Sequence, residues 1–340
     1  MQPLDSMCAS APVPSAKRPP RARRAEAALA MQTSEIQPLP RWTRSQGADS
    51  GAAAFSTGAG LALFDQILRS GSDGAEPPFA GCLRQRLALR AAESCATLSR
   101  LREDAAVLRD AEHLSGGGET SPAGRLHSVF RLYASFPARF DSTLLRAAGL
   151  LGLNEALDAG VLAEVATTAP DPLTAAARVS AAAMKHGAPT ADWETFVFVV
   201  ADLALASRLN WARPVPLLAV AILHPSLRRG AGGKRPRPTD DDWPDSVARA
   251  YGLAIVEAHG LAVDLARRAQ KLVSVAPMLR AKGAWRVVEM LLVDDAVTPA
   301  AAASRSGLSD RAARRLFDRL VALGAVRELS GRDSFRIYGL

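Results

Sequence analysis

Apolar residues recur every three or four positions along most of this 340-residue chain, the spacing that lines one face of an α-helix. Residues 79–113 show it at greatest length. Leu83, Leu87, Ala91, Cys95, Leu98, Leu101, Ala105 and Leu108 form one stripe, with Arg84, Arg86, Arg90, Arg102 and Glu103 mostly outside it. A short amphipathic helix fits 60–70, and further helices fit 123–136, 141–150, 154–167, 171–186 and 191–208. Asp171 and Pro172 suit the start of a helix and Gly187 its end, while Thr190 can cap the next. "RPVPLLAVAILHP" gives a short helix closed by Pro225. Residues 244–274 read as one long helix, with Val247, Tyr251, Ala254, Ala258, Leu261, Leu265 and Leu272 along its stripe. No strand-like alternation occurs before residue 325, so the body is expected to pack roughly nine or ten helices by their apolar faces.

The end of the chain changes pattern. Trp285, Val288, Leu291 and Leu292 mark the inner face of one helix, and Thr298 and Pro299 open a second, short one. Gly307 makes a turn anchored by Leu308, and Ser309 caps a third helix with Asp310 in its first turn. Ala313, Leu316, Phe317, Leu320 and Leu323 are its buried stripe, and Gly324 its left-handed end. "AVREL" and "SFRIY" are strand-like around the turn "SGRD". Phe335 and Ile337 are expected on one face of that hairpin and Arg336 on the other. Helix, helix, helix, strand, strand is the order of a winged helix-turn-helix. The expected fold is therefore mainly α: a multi-helix body with a small C-terminal winged helix-turn-helix of three helices and a β-hairpin. The expected organisation is a disordered basic tail over 1–40, an all-helical domain over 41–227, a flexible loop over 228–243, a long helix over 244–277 packed on the body, and the winged module over 278–340.

Charge sharpens this picture only where it is local. The formal net charge is +8 and the pI about 10.0, but Lys and Arg total 42, of which 37 are arginine and 5 lysine. Such a skew, beside abundant Ala, Gly and Pro, is what a GC-rich genome writes into any protein. The distribution says more: residues 280–340 carry 11 basic and 7 acidic side chains, a net of +4. A helix presented from a compact base fits the major groove of DNA. Arg311 and Arg315 are placed to read base edges, and Arg314, Arg319, Arg332 and Arg336 to meet phosphates. The expected function is duplex-DNA binding, as by a transcriptional regulator or a similar plasmid or mobile-element protein, with the helical body setting oligomeric state or binding a partner or small ligand; a homodimer is kept open. The alternative is a helical interaction or scaffold protein whose winged tail contacts protein. A basic cluster in the N-terminal tail (Lys17, Arg18, Arg21, Arg23 and Arg24) reads as solvated, and Met31 suits translation initiation as well as Met1.

Other chemistry is not indicated. Cys8, Cys82 and Cys95 lack disulfide or zinc spacing and read as reduced thiols. "RGAGGKR" departs from a phosphate loop at both ends, and HExxH, GxSxG and GxGxxG do not occur. His113, His127, His186, His224 and His259 are dispersed and are expected at the surface or at helix ends. Asp240, Asp241 and Asp242 suit an acidic helix start. No catalytic constellation, cofactor or metal is expected, and the protein is not read as an enzyme. The most apolar run, "WETFVFVVADLALA", is shorter than the roughly 20 residues of a membrane span and contains Asp202, so it reads as a core helix. A cytoplasmic location, without membrane contact, follows as an expectation.

"LSDRAARRLFDRLVALGAVRELSGRDSFRIYGL", with "RQRLALRAA", "HPSLR", "DDWP" and "APMLRAKGA", resembles an uncharacterised bacterial family, domain of unknown function 1403, over roughly residues 38–340. That family label implies no activity. "AARRLFDRLVALGAVRELSGR" is similar to the winged-helix module at the end of many Fic-type proteins, a match confined to the tail. The Fic catalytic loop, of the form HPFxxGNGR, is absent and "HPSLRRGAGGKR" departs from it, so AMP transfer is not implied.

Overall fold

The computed structural model describes residues 36–44, 50–114, 121–153, 158–229, 232–332 and 334–340. The basic tail with Lys17 to Arg24, Cys8, Met31, most of the glycine-rich loop near 115–120, and Asp333 lie outside these. Thirteen α-helices and one two-stranded sheet are described. The helices are α1 (Ser50–Leu68), α2 (Ala80–Leu98), α3 (Ala105–Leu114), α4 (Pro122–Ser135), α5 (Ser142–Leu150), α6 (Ala159–Thr168), α7 (Pro172–Met184), α8 (Ala191–Arg208), α9 (Leu218–Ala221), α10 (Trp243–Val275), α11 (Ala284–Val293), α12 (Pro299–Ser306) and α13 (Asp310–Ala322). The strands are β1 (Arg327–Glu328) and β2 (Tyr338–Gly339).

Local chemistry accounts for most helix starts. The Asp171 carboxylate accepts from the Thr174 N–H at 2.9 Å with Pro172 in the first turn of α7. The Thr190 hydroxyl oxygen accepts from the Trp193 N–H at 3.2 Å to begin α8. Each satisfies an N–H that the helix itself cannot. Among the described residues, no helix is long and apolar enough to cross a membrane. Helix α8 is instead the centre of the body, buried from Trp193 through Ala206. Its one mid-helix acid has a structural task. Asp202 accepts from the backbone N–H groups of Leu217 (3.0 Å) and Leu218 (3.1 Å) and from the Tyr251 hydroxyl (3.0 Å), so it opens α9 and ties α10 to α8.

Residues 79–113, expected as one stripe, form two helices. Arg100 takes φ +58° and the Leu101 N–H turns back to the Ala96 carbonyl at 2.9 Å, ending α2. Asp104 then accepts from the Val107 N–H at 2.9 Å and starts α3. Apolar residues continue in phase across the break because both helices face the same core. Arg84, expected outside the stripe, is 1 % exposed and forms an ion pair with Glu76. Its guanidinium is tolerated inside because the half-buried Glu76 carboxylate neutralises it.

The C-terminal segment packs on this body. Helix α11 lies against α2 so closely that a Cβ on Gly81 would sit 2.8 Å from the Val293 backbone. Gly81→Ala is expected to push the two helices apart and cost about 1–3 kcal/mol, read as a lowered thermal midpoint. Gly58→Ala in α1, where an added Cβ meets nothing within 4 Å, is the control and should be neutral or slightly stabilising. Strands β1 and β2 pair antiparallel, Arg327 opposite Gly339 and Glu328 opposite Tyr338. Tyr338 also exchanges both backbone hydrogen bonds with Val297 (2.7 and 2.9 Å), so the segment between α11 and α12 adds a third strand position to the ladder. The Phe317 ring of α13 stacks on Tyr338 at 4.4 Å and 14°. Phe335 and Ile337 do not share a face: Phe335 takes φ +56°, breaks the alternation and faces solvent, while Ile337 is buried.

Candidate nucleic-acid interface

Two short helices and a turn create the surface in question. The Thr298 hydroxyl oxygen accepts from the Ala301 N–H at 3.1 Å and starts α12. Gly307, at φ +70°, reverses the chain, and Ser309 accepts from the Ala312 N–H at 3.3 Å to start α13. Ala313, Leu316, Phe317 and Leu320 fix the inner face of α13. The 100° step per residue then forces Arg311, Arg314, Arg315 and Arg319 outward, and all four are exposed, with Asp318 among them. None of the four makes an ion pair or side-chain hydrogen bond among the described residues.

The two remaining arginines of the expected surface are placed differently. Arg332 pairs with Asp110 of α3 at 2.5 Å, which ties the β1–β2 connection to the body. Arg336 is exposed, and its Nε donates to the Arg332 carbonyl at 3.2 Å. Glu328 is drawn inward to its own loop, accepting from the N–H groups of Ser330 (2.7 Å) and Gly331 (2.9 Å). Arg286 of α11 and Arg305 of α12 are also exposed, with the Arg286 guanidinium 3.5 Å from the Arg305 carbonyl.

The segment between α11 and α12 also carries an ionic cluster. Asp295, between α11 and α12, is fully buried. It accepts from Arg109 Nε (3.1 Å) and Arg131 Nη1 (3.0 Å), with His113 Nε2 at 3.4 Å. Arg131 also grips Asp294 with two bonds, 3.0 and 3.1 Å, and meets Glu112 at 3.1 Å. Burial alone would raise the Asp295 pKa; His113, Arg131 and Arg109 together hold it far below the usual carboxylate range. The cluster joins α3 and α4 of the body to the segment that carries Val297.

The family model described as "Protein of unknown function (DUF1403)" matches residues 27–340. The chain belongs to this family. No curated protein matches it. The DUF1403 match takes in the helical body, the ionic cluster and the arginine face together, beginning at residue 27 rather than near 38.

Elsewhere in this DUF1403 chain the expected inventory is amended in places. His127 and His259 are buried, not at the surface. Burial pushes the His127 imidazole down to about 4, and its Nδ1 lies 3.3 Å from the Leu108 carbonyl. Cys82 and Cys95 are buried free thiols, raised by burial to about 12. His113, Asp294 and Asp295 place one ligand-type atom each within 4.8 Å of one another. Guanidinium groups already hold both carboxylates, so the cluster is built as an ion-pair lock. A cleft of about 630 Å³ runs between α1, α7 and α10, walled largely by aliphatic side chains such as Leu61, Leu173 and Ala248. Of its three carboxylates, Asp65 is bonded to Arg69 and Trp211, Asp171 to Thr174, and Asp245 of α10 is the third. Neither His127 nor His224 lines it.

Proposed function

We propose that residues 278–340 form a winged helix-turn-helix that binds duplex DNA in the cytoplasm, with α13 in the major groove and the β1–β2 connection as the wing, and that the protein acts as a transcriptional regulator. One observation carries this reading. In the body, several arginines that contact other elements are matched with acids: Arg84 with Glu76, Arg109 and Arg131 with Asp295, Arg229 with Asp242, Arg235 with Glu194. Other body arginines, such as Arg125 and Arg139, reach the surface singly. On α13 four arginines share one face, unmatched. A genome bias supplies arginines but does not gather them on one face. The order of α11, α12, α13 and the ribbon, with Val297 as the added strand, supports the fold reading.

In this reading Arg311 and Arg315 meet base edges, and Arg314, Arg319 and Arg336 meet phosphates. Arg332 would exchange Asp110 for a phosphate on binding. A mobility-shift titration with mixed duplex at roughly 50 and 200 mM salt should show strongly salt-dependent binding. Arg314→Ala and Arg319→Ala should each weaken binding to all sequences alike and reduce the salt slope by about one unit. Arg315→Ala should instead relax preference at one base position, costing about 1–3 kcal/mol. Absence of a salt-sensitive shift in the wild type would leave the helical interaction protein as the better reading.

A further inference from the structure

The connection between β1 and β2 holds an aromatic ring where the local pattern would bury it. In a regular strand, residue 335 would follow residue 337 to the core side. Here Phe335 adopts φ +56°, a region that strains any residue with a side chain, and the residue is 75 % exposed. Both the strain and the wetting of a phenyl group oppose this arrangement in the free protein.

The described residues at both ends of the connection are nonetheless tied down. Glu328 accepts from the N–H groups of Ser330 and Gly331 and from the Ser330 hydroxyl, which shapes one arm of the connection. The Leu329 N–H donates to the Ile337 carbonyl at 2.8 Å, closing the base. Buried Ile337 and the Tyr338–Phe317 stack lock the other arm beneath α13. Arg332 and Arg336 lie close to Phe335 in the chain, and both are exposed.

We propose, resting on the DNA-binding reading above, that Phe335 is an apolar wedge that enters the minor groove and slots between two base pairs, kinking the duplex. Base pairs offer the flat apolar faces that a phenyl ring can separate. The arginines beside it suit the phosphate ridges of a narrow groove, and pyrimidine–purine steps unstack most readily. Over residues 328–336 Arg332 and Arg336 are balanced by Glu328 and Asp333, so the choice of DNA as occupant rests on the DNA-binding reading above and on the arginine at either side of the ring. The ring's exposure is then the feature that the complex uses.

The test uses the full chain and a duplex with 2-aminopurine at a central TA step and a donor–acceptor dye pair at its ends. Wild type should raise the 2-aminopurine emission and bring the ends closer. Phe335→Ala should bind about tenfold more weakly and lose both signals, with its salt slope unchanged. Phe335→Leu, still an apolar wedge, should recover most of the bend. Folding is controlled by circular dichroism, since an exposed ring can be removed without disturbing the core. Salt-sensitive binding by wild type with no bend and no unstacking, or with Phe335→Ala matching wild type in both, overturns the wedge and leaves DNA binding standing. No salt-sensitive binding by wild type overturns both.

Discussion

Asp295→Ala is expected to lower the unfolding free energy by about 3–5 kcal/mol. The carboxylate is fully buried and faces Arg109, Arg131 and His113 at once. Arg131 keeps Asp294 and Glu112 after the change, whereas Arg109 keeps no paired acid among the described residues. A mostly buried guanidinium without a counter-charge is the dominant cost. The effect should also reach the ladder. Asp295 lies two residues before Val297, whose carbonyl accepts the Tyr338 N–H at 2.9 Å. Hydrogen exchange at Tyr338 is therefore expected to quicken before the body opens. The pH dependence has a definite sign. Because the folded-state pKa is depressed, the stabilisation is complete above the unfolded carboxylate value, about 3.9, and fades as pH falls below it. The gap between wild type and variant should hold from neutrality down to about pH 5 and narrow in acid. Denaturant titration at pH 7 that shows a loss under about 1 kcal/mol would place Asp295 in a wetter, weaker pair than its geometry implies.

What sequence reading could reach, and what it could not, follows from range. The caps of α7, α8, α12 and α13 depend on residues three apart, and Asp171, Thr190, Thr298 and Ser309 each do what their type and position foretell. The outward face of α13 follows from helical periodicity alone. The break at Arg100 was hidden because no glycine marks it and the apolar phase runs on. The clearer signal was Asp104, an acid three residues before the α3 N–H it accepts. The Asp295 cluster was out of reach for another reason. Its partners Arg109, His113 and Arg131 are 186, 182 and 164 residues away, and nothing local distinguishes a buried arginine from a solvated one. Arg84 misled for the same reason. The exposure of Phe335 ran against the local pattern, since strand alternation placed it with Ile337. A left-handed residue that is not Gly, Asn or Asp leaves no mark in sequence.

The second large effect is expected at Asp202. Alanine there would strip the acceptor from three buried donors, the Leu217 and Leu218 N–H groups and the Tyr251 hydroxyl. Each orphaned donor costs about 1–3 kcal/mol, so a total of roughly 3–5 kcal/mol is expected after partial relaxation. Asparagine isolates the charge. Its oxygen can still serve Leu218 and Tyr251, while its NH2 group meets the Leu217 N–H donor to donor, a milder loss. In the wild type, burial pushes the carboxyl up to about 7, against the three donors that favour the charged form. A raised folded-state pKa means that the native protein holds the proton more tightly than the unfolded chain does. Stability from this group is therefore complete below the unfolded value of about 3.9 and is lost as pH rises through about 7, by up to roughly 4 kcal/mol. Asp202→Asn has no such slope, so the advantage of wild type over the variant should shrink between pH 5 and pH 8. Comparing the two proteins cancels His127 and His259, whose lowered pKa values tilt stability the other way in both. An advantage that widens with pH would mean that the three donors outweigh burial and that Asp202 stays charged in the core.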